Sequence, residues 1–91
     1  PSLDAVLALQ GGLAPDARSR QARRGRRLLD ALDRVRAALL NGVAPAALRE
    51  ELRALGRQAE TTGDDGLDAL MREIDTRAAV ELAKLDRAAG V

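Results

Sequence analysis

RRLLDALDRVRAALLNG, residues 26–42, decides the fold. Its apolar positions Leu28, Leu29, Leu32, Val35 and Leu39 recur in steps of three and four, the spacing of one helix face. Ala22 and Gly25 continue that stripe backwards, so the predicted helix starts near Asp16 or Ala17. Asn41-Gly42 stops it, because both residues tolerate the left-handed backbone that a helix C-terminus uses.

Three further segments read the same way. SLDAVLALQ, residues 2–10, has Ser2 as cap and Leu3, Val6 and Leu7 at helical spacing, and Gly11-Gly12 breaks it. A third helix begins at Pro45, whose missing N–H suits a first turn, and has a seam of Leu48, Leu52, Leu55 and Ala59. Glu50, Arg53 and Arg57 fall on its far side, and Thr61, Thr62 and Gly63 close it. The fourth has Asp64 or Asp65 as N-cap and Asp68 in its first turn, where a carboxylate meets the positive end of the helix. Its stripe is Leu67, Leu70, Met71, Ile74, Ala78, Leu82 and Leu85.

Alternating strand patterns are absent and β-branched residues scarce. Short connections between long helices favour antiparallel neighbours. The expected fold is therefore all-α: an antiparallel, up-down-up three-helix bundle with a short additional N-terminal helix. Residues 1–12 form that short helix and its Gly-rich break. Residues 13–91 form the core domain, with helices at about 16–41, 45–62 and 65–89.

The chain of 91 residues contains no Cys, His, Phe, Trp or Tyr, so its core must come from Leu, Val, Ile, Met and Ala. Disulfides, thiolate metal sites and imidazole chemistry are excluded with those residue types. No nucleophile–base pair is visible, and the carboxylates stand beside arginines at helical spacing, as in Glu73–Arg77 and Arg77–Glu81. No enzymatic activity, cofactor or metal is expected. GDDG at 63–66 lacks the alternating ligands of a calcium loop and reads as a helix cap. Gly11-Gly12 lacks the Lys-Ser/Thr of a phosphate loop. No apolar run approaches the roughly 20 residues that cross a bilayer. The chain opens with Pro1, so an N-terminal part of the natural protein is expected to precede it, and the expected location is cytoplasmic.

The net charge of +1 conceals an asymmetry. Residues 16–36 hold eight arginines against three aspartates, whereas residues 44–91 hold seven basic against ten acidic side chains. Such halves suit internal docking as well as partners. RSRQARRGRR, residues 18–27, places Arg20, Arg23, Arg26 and Arg27 opposite the leucine stripe, with Arg24 flanking it. One reading of this face is an ordinary solvated surface. A second is nucleic acid, but aromatic side chains for base stacking and a short-turn recognition-helix pair are both missing. A third is an acidic protein partner, which we favour over nucleic acid as the functional reading. In RAAVELAKL, residues 77–85, Val80 points away from the stripe, where a free-standing bundle would carry charge. The first segment, a protein partner or a second copy of the chain would cover it.

Three stretches resemble one family. LDAVLALQ is similar to a recurrent segment near its start, and RRGRRLLDALDRVRAALLNG resembles its basic-helix block. DDGLDALMREIDTRAAVELAKL is the closest match, above all RAAVELAKL. The family is the class II flagellar assembly regulators of alphaproteobacteria, FliX, and the likeness spans residues 3–85. It implies a non-enzymatic regulator that binds the sigma-54-dependent enhancer-binding activator FlbD. It also implies that early flagellar basal-body assembly is coupled to later gene expression, with basal-body components as further partners. On this reading no direct nucleic-acid contact is expected, and the alternative is a basic helical DNA-binding accessory factor. The resemblance assigns no contact residues.

Overall fold

The computed structural model describes residues 16–91, which form three helices: α1 (Ala17–Leu40), α2 (Ala46–Gly56) and α3 (Asp65–Ala88). These are the second, third and fourth predicted segments. The expected N-terminal helix of residues 1–12 lies outside the described residues. Among the described residues there is no strand.

Local chemistry sets the ends. Asp16 caps α1, its carboxylate accepting the Ser19 backbone N–H at 2.8 Å. Asp64 caps α3 by accepting the Leu67 N–H at 3.1 Å. Asp68 reaches back to accept both the backbone N–H and the hydroxyl of Thr62, which fixes how the chain enters α3. The two long helices stop by the same device. In α1, Gly42 at φ 70° lets Val43 N–H donate to Ala38 C=O and Gly42 N–H to Leu39 C=O. In α3, Gly90 at φ 78° repeats this with Val91 on Asp86 and Gly90 on Arg87. A Cβ at either glycine would clash with its own backbone, so glycine is the residue that makes such a stop inexpensive.

Cross-links between helices reveal their directions. Arg18 pairs with Asp64 at 3.5 Å, joining the starts of α1 and α3, and Arg24 pairs with Asp75 further along both. These two helices therefore run in the same direction. Arg49, in the first turn of α2, reaches Asp86 near the end of α3, while Leu55 near its last turn accepts from Arg24. Hence α2 runs back against both.

All three helices contribute to one core: Leu28, Ala31, Leu32, Val35 and Ala38 from α1, Leu48, Leu52 and Leu55 from α2, and Met71, Ala78 and Leu85 from α3. A fully buried leucine stabilises by about 1.5–3 kcal/mol relative to an exposed one, so the leucines dominate this core while the alanines set its spacing. The two long helices come close at Gly25, where a Cβ would lie 2.9 Å from the Met71 sulfur. Glycine there lets α1 and α3 approach.

Several expectations need correction. The third helix ends at Gly56 rather than 62 and begins at Ala46, with Pro45 as its cap. Gly56 is a weak helix former. Beyond it the chain tightens into a turn, with Gln58 N–H donating to Leu55 C=O, and α1 holds that turn: Leu55 C=O also accepts from Arg24, and Gln58 C=O accepts from Gln21. Ala59 is consequently exposed instead of completing the seam. Leu29 and Leu70 are also not core residues, being 49% and 52% exposed. Arg53 does not lie on a far side, because it donates to Asp86 at 2.6 Å across to α3. The pairs Glu73–Arg77 and Arg77–Glu81 do not form; Glu81 binds Lys84 instead.

Candidate protein-binding surface

The core positions of α1 repeat every seven residues, as Leu28 and Val35 in one row and Ala31 and Ala38 in the other. Extended one repeat towards the N-terminus, the same rows contain Gln21 and Arg24. Both are buried, at 2% and 4% exposure. The seam between the helices thus changes from apolar to polar at its lower end, and the polar part is fully bonded.

Arg24 is the hub of this layer. Its Nη1 and Nη2 donate to the two carboxylate oxygens of Asp75 at 2.6 and 2.7 Å. Nη1 also donates to Leu55 C=O, and Nε donates to the Gln21 side-chain oxygen at 2.9 Å. Gln21 in turn donates from Nε2 to Gln58 C=O at 3.0 Å. One guanidinium therefore ties α1 to α3 and to the end of α2, using the planar fork that arginine alone supplies. Among the described residues no buried side-chain polar atom lacks a partner.

Outside this layer runs a row of arginines at the same seven-residue interval: Arg20, Arg27 and Arg34. Arg20 meets Glu60 at 2.8 Å and Arg34 meets Glu51 at 2.7 Å. Hydrogen bonding to the arginines holds the Glu60 and Glu51 carboxyls below the usual carboxylate range and raises both guanidinium pKa values. Arg27, between them, has no ion pair among the described residues. Four arginines of the basic segment (Arg18, Arg20, Arg24 and Arg34) thus dock internally on acids of the later half.

The cleft beside this row lies between α1 and the stretch that follows α2. Arg20, Gln21, Arg23, Arg24, Arg27, Gln58 and Glu60 line it. Of the four arginines singled out in the sequence, the structure gathers Arg20, Arg23 and Arg27 around one cleft and leaves Arg26 outside its lining. Arg23 and Arg27 are exposed and carry charge that no acid of the described residues neutralises. The cleft is suited to carboxylates. Val80 is 51% exposed on α3 and lies away from this cleft, and the first segment, one of the covers offered for it, is outside the described residues. Sequence reasoning missed Gln21, Arg24 and Asp75. The seven-residue register would have found the first two; nothing in the spacing points to Asp75.

Among the described residues, His, Cys, Asp and Glu do not gather in threes as a metal site. None of the described helices is long and apolar enough to cross a membrane.

Residues 1–86 match the family described as class II flagellar assembly regulator, FliX. The chain is also similar to the flagellar assembly protein FliX of Caulobacter vibrioides, with 46% identity over 76 residues. That alignment covers 82% of this chain and 53% of the relative, so the chain spans about half of the relative's length. No solved structure matches.

Proposed function

The chain belongs to the class II flagellar assembly regulator family, FliX, and we propose that it regulates flagellar gene expression by binding the sigma-54-dependent activator FlbD. In this reading it acts in the cytoplasm, without enzymatic activity, and links the state of the flagellar basal body to transcription. Its three helices serve as an antiparallel bundle, a rigid support for a recognition face.

The observation that carries the reading is the charge left over in the arginine cleft. Among the described residues Arg23 and Arg27 stay exposed without an acidic partner, while Arg20 and Arg24, which line the same cleft, are paired. An acidic segment of the activator would complete the row. Arginine clefts of this kind favour carboxylates through bidentate hydrogen bonds, and charge complementarity speeds encounter. The DNA-binding alternative loses ground for the same reason: Arg18, Arg20, Arg24 and Arg34 are engaged within the chain, which removes much of the charge that phosphate binding needs.

Mixing the purified chain with purified activator in a salt series tests the proposal. Complex formation that weakens as salt rises is the expected result. Failure to bind at low salt would refute it, and binding of duplex DNA instead would favour the alternative.

A further inference from the structure

The opposite flank of α1 carries a different pattern. Leu29, Asp33, Arg36 and Leu40 are spaced four, three and four residues apart, which places them on one helix face. All four are exposed, Leu29 at 49% and Leu40 at 79%. They border a groove lined by α1 and α3 alone, to which Leu32, Leu39, Arg77 and Glu81 also contribute. Among the described residues neither Asp33 nor Arg36 has an ion pair, and neither does Arg77.

The order along this face reads the same from either end in chemical kind: apolar, charged, charged, apolar, with the two charges opposite in sign. We propose that this face docks on a second copy of the chain. The two α1 helices run antiparallel about a two-fold axis level with the Arg34–Val35 peptide. Leu29 then meets Leu40 of the other copy, and Asp33 meets its Arg36, each contact occurring twice. That reciprocity is what an isologous interface requires. A partner of a single charge sign would satisfy one of Asp33 and Arg36 and repel the other, whereas a second copy satisfies both. The interface covers four leucines and desolvates few unpaired polar groups. The matched segment, 29 to 40, is only about 16 Å long at 1.5 Å per residue, so the dimer should be weak and concentration-dependent. This dimer uses a face other than the arginine cleft and stands whether or not the activator is the partner.

Sedimentation of the full 91-residue chain over a concentration series, with circular dichroism to verify folding, tests it. A monomer–dimer equilibrium is expected, with a dissociation constant on the order of micromolar. Asp33→Arg alone, or Arg36→Asp alone, sets like charges against each other twice and should weaken the dimer at least tenfold. Combining Asp33→Arg with Arg36→Asp recreates the pairing and should restore association to within about threefold of the original, as the charge-swap logic of coupled pairs requires. Leu29→Glu should abolish the dimer while leaving helicity intact, since the side chain is half exposed. A chain that stays monomeric at millimolar concentration overturns the proposal. So does a dimer indifferent to the single charge changes. Single variants that weaken a folded dimer without rescue by the double variant overturn the antiparallel register.

Discussion

The guanidinium of Arg24 meets the carboxylate of Asp75 edge to edge, at 2.6 and 2.7 Å, inside the seam between α1 and α3. The arginine side chain is 3% exposed and the aspartate 28%, so the pair sits half in the core and half against solvent. Breaking such a pair from one side strands a buried charge, whereas replacing both partners by apolar groups removes the problem together with the bond.

Asp75→Asn should therefore destabilise the fold by about 2–3 kcal/mol, below the full cost of an orphaned buried charge because Asp75 reaches water. Arg24→Met should cost a similar amount, since it also strips donors from Gln21 and from the Leu55 carbonyl. The double variant Arg24→Met with Asp75→Leu should lose clearly less than the two single losses together. Urea unfolding followed by circular dichroism measures all three, and strict additivity would show that the pair is not coupled.

Two exposed glycines should respond in opposite directions. Gly42 holds φ at 70° to end α1, so Gly42→Ala should cost roughly 1 kcal/mol through its own local backbone, although no atom from elsewhere in the fold stands near a Cβ. Gly56 ends α2 with ordinary backbone and open space around it. Gly56→Ala should stabilise by up to about 1 kcal/mol through helix propensity. Thermal melts of both variants check the contrast.

Acid should loosen the outer row of ion pairs. Hydrogen bonds from Arg20 and Arg34 lower the Glu60 and Glu51 pKa values, and the Ser19 N–H lowers that of Asp16. A group with a lower pKa when folded adds stability that is fully present above its unfolded value and is lost as pH falls through the folded value. With ordinary values of 4.5 for the glutamates and 3.8 for the aspartate, the loss falls below about pH 4.5. All three groups face solvent, so the change should be small. Glu51→Gln with Glu60→Gln should flatten the melting temperature between pH 5 and pH 3 by about a degree or more relative to the parent, read by circular dichroism.

The three described helices and the termini of α1 and α3 were legible because periodicity and caps are local signals. Asn41-Gly42 and Asp64 act as their residue types dictate. The burial of Arg24 was not legible from polarity, which is a poor guide wherever a distant partner exists. Arg24 follows the same seven-residue row as Ala31 and Ala38, but the carboxylate that makes its burial tolerable stands far along the chain on α3. The early end of α2 was no more legible, since Gln21 and Arg24 of another helix bind the turn that follows it, at Gln58 C=O and Leu55 C=O. Leu29 and Leu70 show the converse. Helical spacing placed both in the stripe, yet a helix stripe is wider than the seam two neighbours close, and its edge stays open. The arginine face divided likewise: spacing grouped Arg26 with Arg20, Arg23 and Arg27, and only the position of the Gln58–Glu60 stretch separates it from the cleft.

That division supplies the most direct test of recognition through the arginine cleft. Binding of the chain to the activator FlbD should be measured by isothermal titration for the parent, for Arg23→Glu with Arg27→Glu, and for Arg26→Glu with Arg36→Glu. The charge change is the same in both double variants, and titration at a chain concentration where the parent is monomeric keeps the dimer contact of Arg36 out of the comparison. The account predicts at least a tenfold loss of affinity for the Arg23 and Arg27 variant, with less than a threefold change for the other. Equal losses in both variants, or undiminished binding by the Arg23 and Arg27 variant, would contradict it.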